Sequence, residues 1–348
     1  MKHKKWTLLV IGIFLIFALP LFTMGTAASE TKPIELKVAT WNPPQIDPSK
    51  TAVEWAKTVE ERSGGKVKFT FYWASSLCQM PDTFRATQTG LADVGMWVIG
   101  NVAGITPLNE YISLPFLGFK DSPTVLKVFR EMRKKMPELD AEFKGMKYLY
   151  GWPMPPYQFH TTKKTIRVPE DLRGMKVMCD ATSSDFLNSL GAVAVPKGPP
   201  DFYLSLQKGL VDAQLNHWAV VRAFKLEELF TEHTQVGTAG VNSLICIWLM
   251  NNDSWNKLPP EAQKAIMDLQ PQFEDKSLDL SLELQKKGQN EAREAGHKII
   301  DVTPKELEQW IKSSESVREQ WVKDMEAKGL PGKAIYKEAQ KLIKKFNK

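Results

Sequence analysis

The chain has 348 residues, 46 Lys and Arg against 40 Asp and Glu, and a formal net charge of +6. About 320 residues beyond the N-terminal segment are too many for one small core and suit two lobes, at ~100–200 residues per domain. Much of the excess charge sits at the two ends of the chain, in Lys2, Lys4 and Lys5 and in Lys333, Lys337, Lys341, Lys344, Lys345 and Lys348. That distribution argues for a targeting feature and a solvated helix face, and against a nucleic-acid-binding surface.

Met1-Lys2-His3-Lys4-Lys5, an apolar run from Trp6 to Phe22 and the small residues Gly25 to Ala28 have the order of a secretory signal. Cleavage fits after Ala27 or Ala28, which makes residues 1–28 a signal peptide, and the formal charge then falls from +6 to +3. An uncleaved anchor is the alternative, because 17 largely apolar residues approach the ~20 that span a bilayer; Pro20 and the small-residue exit favour cleavage. An exported, periplasmic location follows. Cys78, Cys179 and Cys246 allow at most one internal disulfide, and their spacing suggests no metal site.

Leu36–Trp41 alternates like a strand and breaks at Asn42-Pro43-Pro44. Ser49 is placed to cap a helix with Trp55, Ala56 and Val59 on one face, ended by Gly64-Gly65. Val67, Phe69, Phe71 and Trp73 read as a half-buried strand, a helical stretch runs up to Gly90, and Ala92–Val98 reads as a third strand. This alternation implies an α/β lobe with mostly parallel strands. After a helix near Val125–Met136 and a strand at Met146–Tyr150 the pattern restarts: strand Met175–Met178, helix Ser184–Leu190, helix Phe202–Lys208, strand Val211–Asn216. Val241–Met250 is apolar enough for a buried strand and long enough to cross between lobes. A long helix is expected from Pro260 to about Gly296 with a kink at Pro271, then two more helices from Thr303 onward. The expected division is a lobe over 29–155, a second over 156–245, and connecting and C-terminal elements over 246–348.

Several segments together resemble the DctP-type solute-binding proteins of tripartite ATP-independent periplasmic (TRAP) transporters. They are Glu60–Val67, Thr89–Asp93, Ser113–Leu117, Arg167–Val177, Leu190–Ala192 and Tyr203–Gln214. The similarity covers essentially the whole chain beyond the signal. It implies an α/β, two-lobe periplasmic binding protein fold with a ligand cleft between the lobes and a long connecting helix, a small-molecule ligand, and integral membrane TRAP subunits as partners.

Parallel α/β lobes place ligands at strand carboxyl ends, and Trp41, Trp73, Trp97 and Asn216 stand at or just past such ends. Members of the family often carry an arginine two residues after the lysine of the Gly174-x-Lys176 motif, where it grips a carboxylate; Met178 stands there instead. A methionine cannot form a charge-assisted pair. A second family arginine is matched by the vicinity of Gln158, near His160. Lys197 is the expected replacement cation, and Gln79 and Gln158 are expected neutral hydrogen-bonders. The expected ligand is therefore an aromatic or branched monocarboxylate rather than a C4-dicarboxylate, with a neutral polar solute as the other possibility. An ABC-type binding protein and an exported enzyme are the rival functions. No G-x-S-x-G, H-E-x-x-H or P-loop pattern occurs, and the five histidines have no metal-ligand spacing, so neither catalysis nor a cofactor or metal is called for.

Overall fold

In the computed structural model residues 32–348 are described; the segment read as a signal lies outside the described residues. Eleven strands occur among them: β1 (Ile34–Ala39), β2 (Val67–Tyr72), β3 (Val94–Ile99), β4 (Met146–Pro153), β5 (Gln158–Thr161), β6 (Lys176–Cys179), β7 (Val193–Pro196), β8 (Ala213–Asn216), β9 (Glu232–Gln235), β10 (Ile245–Asn251) and β11 (Lys298–Asp301). They form two sheets, ordered β2-β1-β3-β10-β4 and β11-β9-β5-β8-β6-β7. Each is mixed. In the first, β1 runs parallel to β2 and β3 while β10 is antiparallel to β3 and β4; in the second, β5 is antiparallel to both β8 and β9.

The helices are α1 (Asp47–Arg62), α2 (Thr83–Gln88), α3 (Ser122–Lys135), α4 (Pro137–Ala141), α5 (Ser184–Ser189), α6 (Phe202–Gln207), α7 (Trp218–Ala223), α8 (Asn252–Asn256), α9 (Pro260–Glu294), α10 (Pro304–Ser313), α11 (Glu315–Ala327) and α12 (Gly332–Phe346). Ser49 does not cap α1: it lies inside the helix, and its hydroxyl donates to Pro43 O at 2.8 Å, tying the turn after β1 to the helix start. Three helices follow Thr303 rather than the two expected. Thr303 and Glu306 form a capping box that starts α10, and Ser314 separates it from α11. The lysine-rich α12 buries Ile335, Ala339, Leu342 and Ile343 against α3 and leaves its lysines in solvent.

Two chain segments join the sheets side by side. Met154–Tyr157 leads from β4 to β5, and Val241–Leu244 returns to β10; Met154 N donates to Leu244 O at 2.8 Å, Tyr157 N to Asn242 O at 3.0 Å and Val241 N to Tyr157 O at 2.9 Å. Gly240 makes this approach possible, since its φ is +63° and a Cβ there would stand 2.3 Å from Tyr157 O. The strand expected to cross between lobes thus does so only in its first four residues; β10 itself lies inside the first sheet, between β3 and β4. Helix α9 runs 35 residues through Pro271, packing on β4 and α1 toward one sheet and on α7 toward the other. Gly288 lets it meet α7, because a Cβ there would come within 2.6 Å of Trp218 O.

Candidate functional site

Strands β1, β3, β6, β7 and β8 all point their carboxyl ends at one cavity of about 1090 Å³ between the two sheets. Trp41 reaches it just past β1, Met96 and Val98 from β3, Trp152 and Met154 from the end of β4, and Leu284 from α9. Tyr157 on the crossover, Asp180 after β6, Lys197 after β7, and Asn216 and His217 at the end of β8 supply polar groups.

Four of the residues expected from sequence therefore stand together at the cavity: Trp41, Gln79, Lys197 and Asn216. The other four do not. Trp97 is 1% exposed and packs edge-on against Phe84, because side chains alternate along β3 and its neighbours Met96 and Val98 take the cavity side. Met178 is fully buried by the same alternation, among Phe202, Leu206, Val221 and Phe230 behind the second sheet, while Cys179 faces the cavity. Gln158 spends both ends of its amide on backbone, accepting from Val236 N at 2.7 Å and donating to Gly237 O at 3.1 Å. Trp73 stacks on Phe71 at 4.5 Å and falls outside the cavity lining.

Among the described residues four cations line the cavity, Lys50, Lys197, Arg222 and Lys225, and Lys50 is paired with Asp47 at 2.8 Å. Lys197 Nζ lies 3.7 Å from Asp201 Oδ2, a partly exposed pair that leaves the ammonium able to turn inward. Arg222 on α7 is bonded through Nε to Glu291 of α9 at 2.8 Å, which raises its already high pKa and shares its charge. Asp180 accepts from Ser183 N, Thr182 Oγ1 and Ser183 Oγ at 2.7 to 3.0 Å, and burial outweighs these bonds to raise its pKa. The three cysteines are unpaired; burial pushes the Cys179 thiol up to about 12 and Cys246 higher still, so both stay protonated and inert. Among the described residues no group of His, Cys, Asp and Glu is arranged to hold a metal ion.

Tyr157, His217 and Arg222 are cavity residues that sequence reasoning passed over. Tyr157 adjoins the expected Gln158 with the opposite facing. His217 directly follows Asn216, and its lack of metal-ligand spacing concealed a simpler role at the wall.

Two α/β halves joined by paired crossovers around a ligand-sized, aromatic-walled cavity define a two-lobe solute-binding protein. Residues 39–324 match the family described as bacterial extracellular solute-binding protein, family 7 (DctP), and the chain belongs to it, as a DctP-type TRAP solute-binding protein. It is 24% identical over 270 residues to the 2,3-diketo-L-gulonate-binding periplasmic protein YiaO of Escherichia coli, covering 77% of this chain and 80% of that one. Among solved structures it is similar to a marine metagenome TRAP solute-binding protein specific for aromatic acid ligands, in complex with metahydroxyphenylacetate. That match has 26% identity and a TM-score of 0.84, over 90% of this chain and 100% of the other. It is also similar to a Rhodoferax ferrireducens TRAP solute-binding protein in complex with copurified benzoate, with 25% identity and a TM-score of 0.82, over 90% and 98%.

Proposed function

We propose that this protein is exported to the periplasm, captures an aromatic monocarboxylate in the cavity between its sheets, and delivers it to the integral membrane subunits of a TRAP transporter. The observation that carries the reading is the cavity wall itself: Trp41, Trp152 and Tyr157 flank a space lined by the cations Lys50, Lys197, Arg222 and Lys225, of which all but Lys225 are already shared with an acid. One ligand carboxylate is within the means of such a site. A second would be desolvated without a matching cation, at a cost of several kcal/mol. The aromatic acids bound by the two similar solved proteins support the same class. The two lobes of residues 29–155 and 156–245, with the remainder connecting them, would close on the ligand about the Met154–Tyr157 and Val241–Leu244 crossovers. The loaded shape would then be the one the membrane subunits accept.

A thermal-shift panel tests this, because any ligand selective for the folded state raises the melting temperature by mass action. Benzoate and hydroxylated benzoates are expected to raise it, and succinate, malate and fumarate to leave it unchanged. A large shift with succinate alone would refute the assignment.

A further inference from the structure

The ring of His217, a residue of the cavity wall, carries an unmet donor. The residue follows Asn216 at the end of β8, is 5% exposed, and lines the cavity. Its Nδ1 accepts the backbone N–H of Val220 at 3.2 Å, which caps α7. A ring nitrogen that accepts carries no proton, so in the neutral imidazole the proton is on Nε2. Nε2 is buried and bonded to no protein group. Burial lowers the pKa of this ring to about 3, so it remains a neutral donor at any pH near neutrality.

Two further uncharged donors belong to the same wall. The Tyr157 ring packs against His217 with centroids 5.5 Å apart, and burial, then the charge of Asp180, keeps its phenol protonated. Asn216 accepts from His217 N through Oδ1 at 2.9 Å, which leaves its Nδ2 protons for another acceptor. Asp180 is close enough to Tyr157 for its carboxylate to act on the phenol, and it disfavours a second negative charge beside that ring.

We propose that His217, with Tyr157 and Asn216, is a specificity-determining donor cluster that selects acids carrying a second, uncharged oxygen, a ring hydroxyl or oxo group away from the carboxylate. The inference rests on the aromatic-acid reading above and deepens it. A buried donor left unmet is costly, so a site built to bond an oxygen rejects the analogue that lacks it far more strongly than an apolar pocket rejects a changed hydrocarbon. A carboxylate would satisfy the same donors only by burying its charge against neutral groups beside Asp180, without repayment.

Isothermal titration of the full chain with benzoate and 3-hydroxybenzoate reads the selection directly. The unmutated protein is expected to prefer the hydroxylated acid by about tenfold or more, with the same preference at pH 5.5 and pH 8. His217→Phe should bring the two affinities together, weakening 3-hydroxybenzoate far more than benzoate; the ratio of the two is the readout, since loss of the α7 cap lowers both alike. Tyr157→Phe removes a single hydroxyl, carries the same expectation in reduced degree, and serves in place of the histidine variant if the latter does not fold. Equal affinities in the unmutated protein, or a preference that survives both substitutions, overturn the inference and leave the aromatic-acid reading standing. Failure of both acids to bind the unmutated protein overturns the two together.

Discussion

His160 donates through Nε2 to the backbone carbonyl of Asn216 at 3.1 Å, and this bond sets the protons of a three-histidine chain. A carbonyl only accepts, so the proton of the neutral His160 ring is on Nε2, and its Nδ1 must accept from His233 Nδ1 at 2.8 Å. His233 Nε2 then accepts from His297 Nδ1 at 3.0 Å. The chain runs from the partly exposed His297 to the backbone of a cavity residue. Its members are neutral: burial lowers the pKa of His160 to about 3 and, helped by the neighbouring rings, that of His233 to about 2.

Acid should therefore unfold this protein steeply. An unfolded histidine takes its proton near pH 6.5, whereas His160, His217 and His233 refuse theirs until about pH 3 or below. Between those limits the unfolded state binds more protons, so the stability they contribute is whole above pH 6.5 and falls as pH drops, by up to about 1.4 kcal/mol per pH unit for each ring. Glu110, half-buried and raised by desolvation to about 7, and Glu142 and Asp180, also raised by desolvation, bind protons preferentially in the folded state and soften the decline. That offset ends near pH 4.5, where unfolded carboxylates are protonated too. Urea titrations at half-unit intervals should show the steepest loss between about pH 4.5 and 3, and a flat profile there would contradict the neutral histidine chain.

Gly288→Ala should loosen the seat of α7. The added methyl meets Trp218 O at 2.6 Å, so the helix that carries Arg222 must shift away from α9. A loss of about 1–3 kcal/mol in denaturant unfolding is expected, together with weaker ligand binding. Unchanged affinity would mean that α7 does not shape the site.

Met178→Arg, which on the family pattern would convert the protein to a stronger acid binder, should instead cripple folding. The side chain is enclosed by Phe202, Leu206 and Val221, and an unpaired guanidinium there costs more than about 3 kcal/mol. Met178→Leu should cost less than about 1.5 kcal/mol. Melting temperatures of the two variants separate these outcomes; a stable Met178→Arg protein with gained affinity for succinate would place the side chain in the cavity after all.

Lys197→Ala should weaken an aromatic acid by about tenfold, the worth of one partly exposed charge-assisted contact. Its exposed partner Asp201 loses little, so the melting temperature without ligand should hold. Titration with a neutral aromatic alcohol as control should show no change; equal weakening of both would point to a packing role for the lysine stem.

The amino-acid sequence by itself determined the α/β alternation, the long helix after Pro260 and the family, because periodicity and turn residues act within a few neighbours along the chain. β1, β3 and α9 fall within a few residues of where their patterns place them. Of the four-residue strands, β6 and β8 were legible and β5, β7, β9 and β11 were not, since so short a segment shows too little alternation to separate it consistently from a loop and becomes a strand only through its partners. Tertiary structure also decided which face of each strand meets the ligand. A shift of one residue exchanges Met96 and Val98 for Trp97, or Cys179 for Met178, and only sheet register and the covering helices fix that choice. The cavity draws Trp41, Tyr157, Lys197, His217 and Leu284 from segments far apart in the chain, so their meeting depends on how the crossovers and α9 set one sheet against the other.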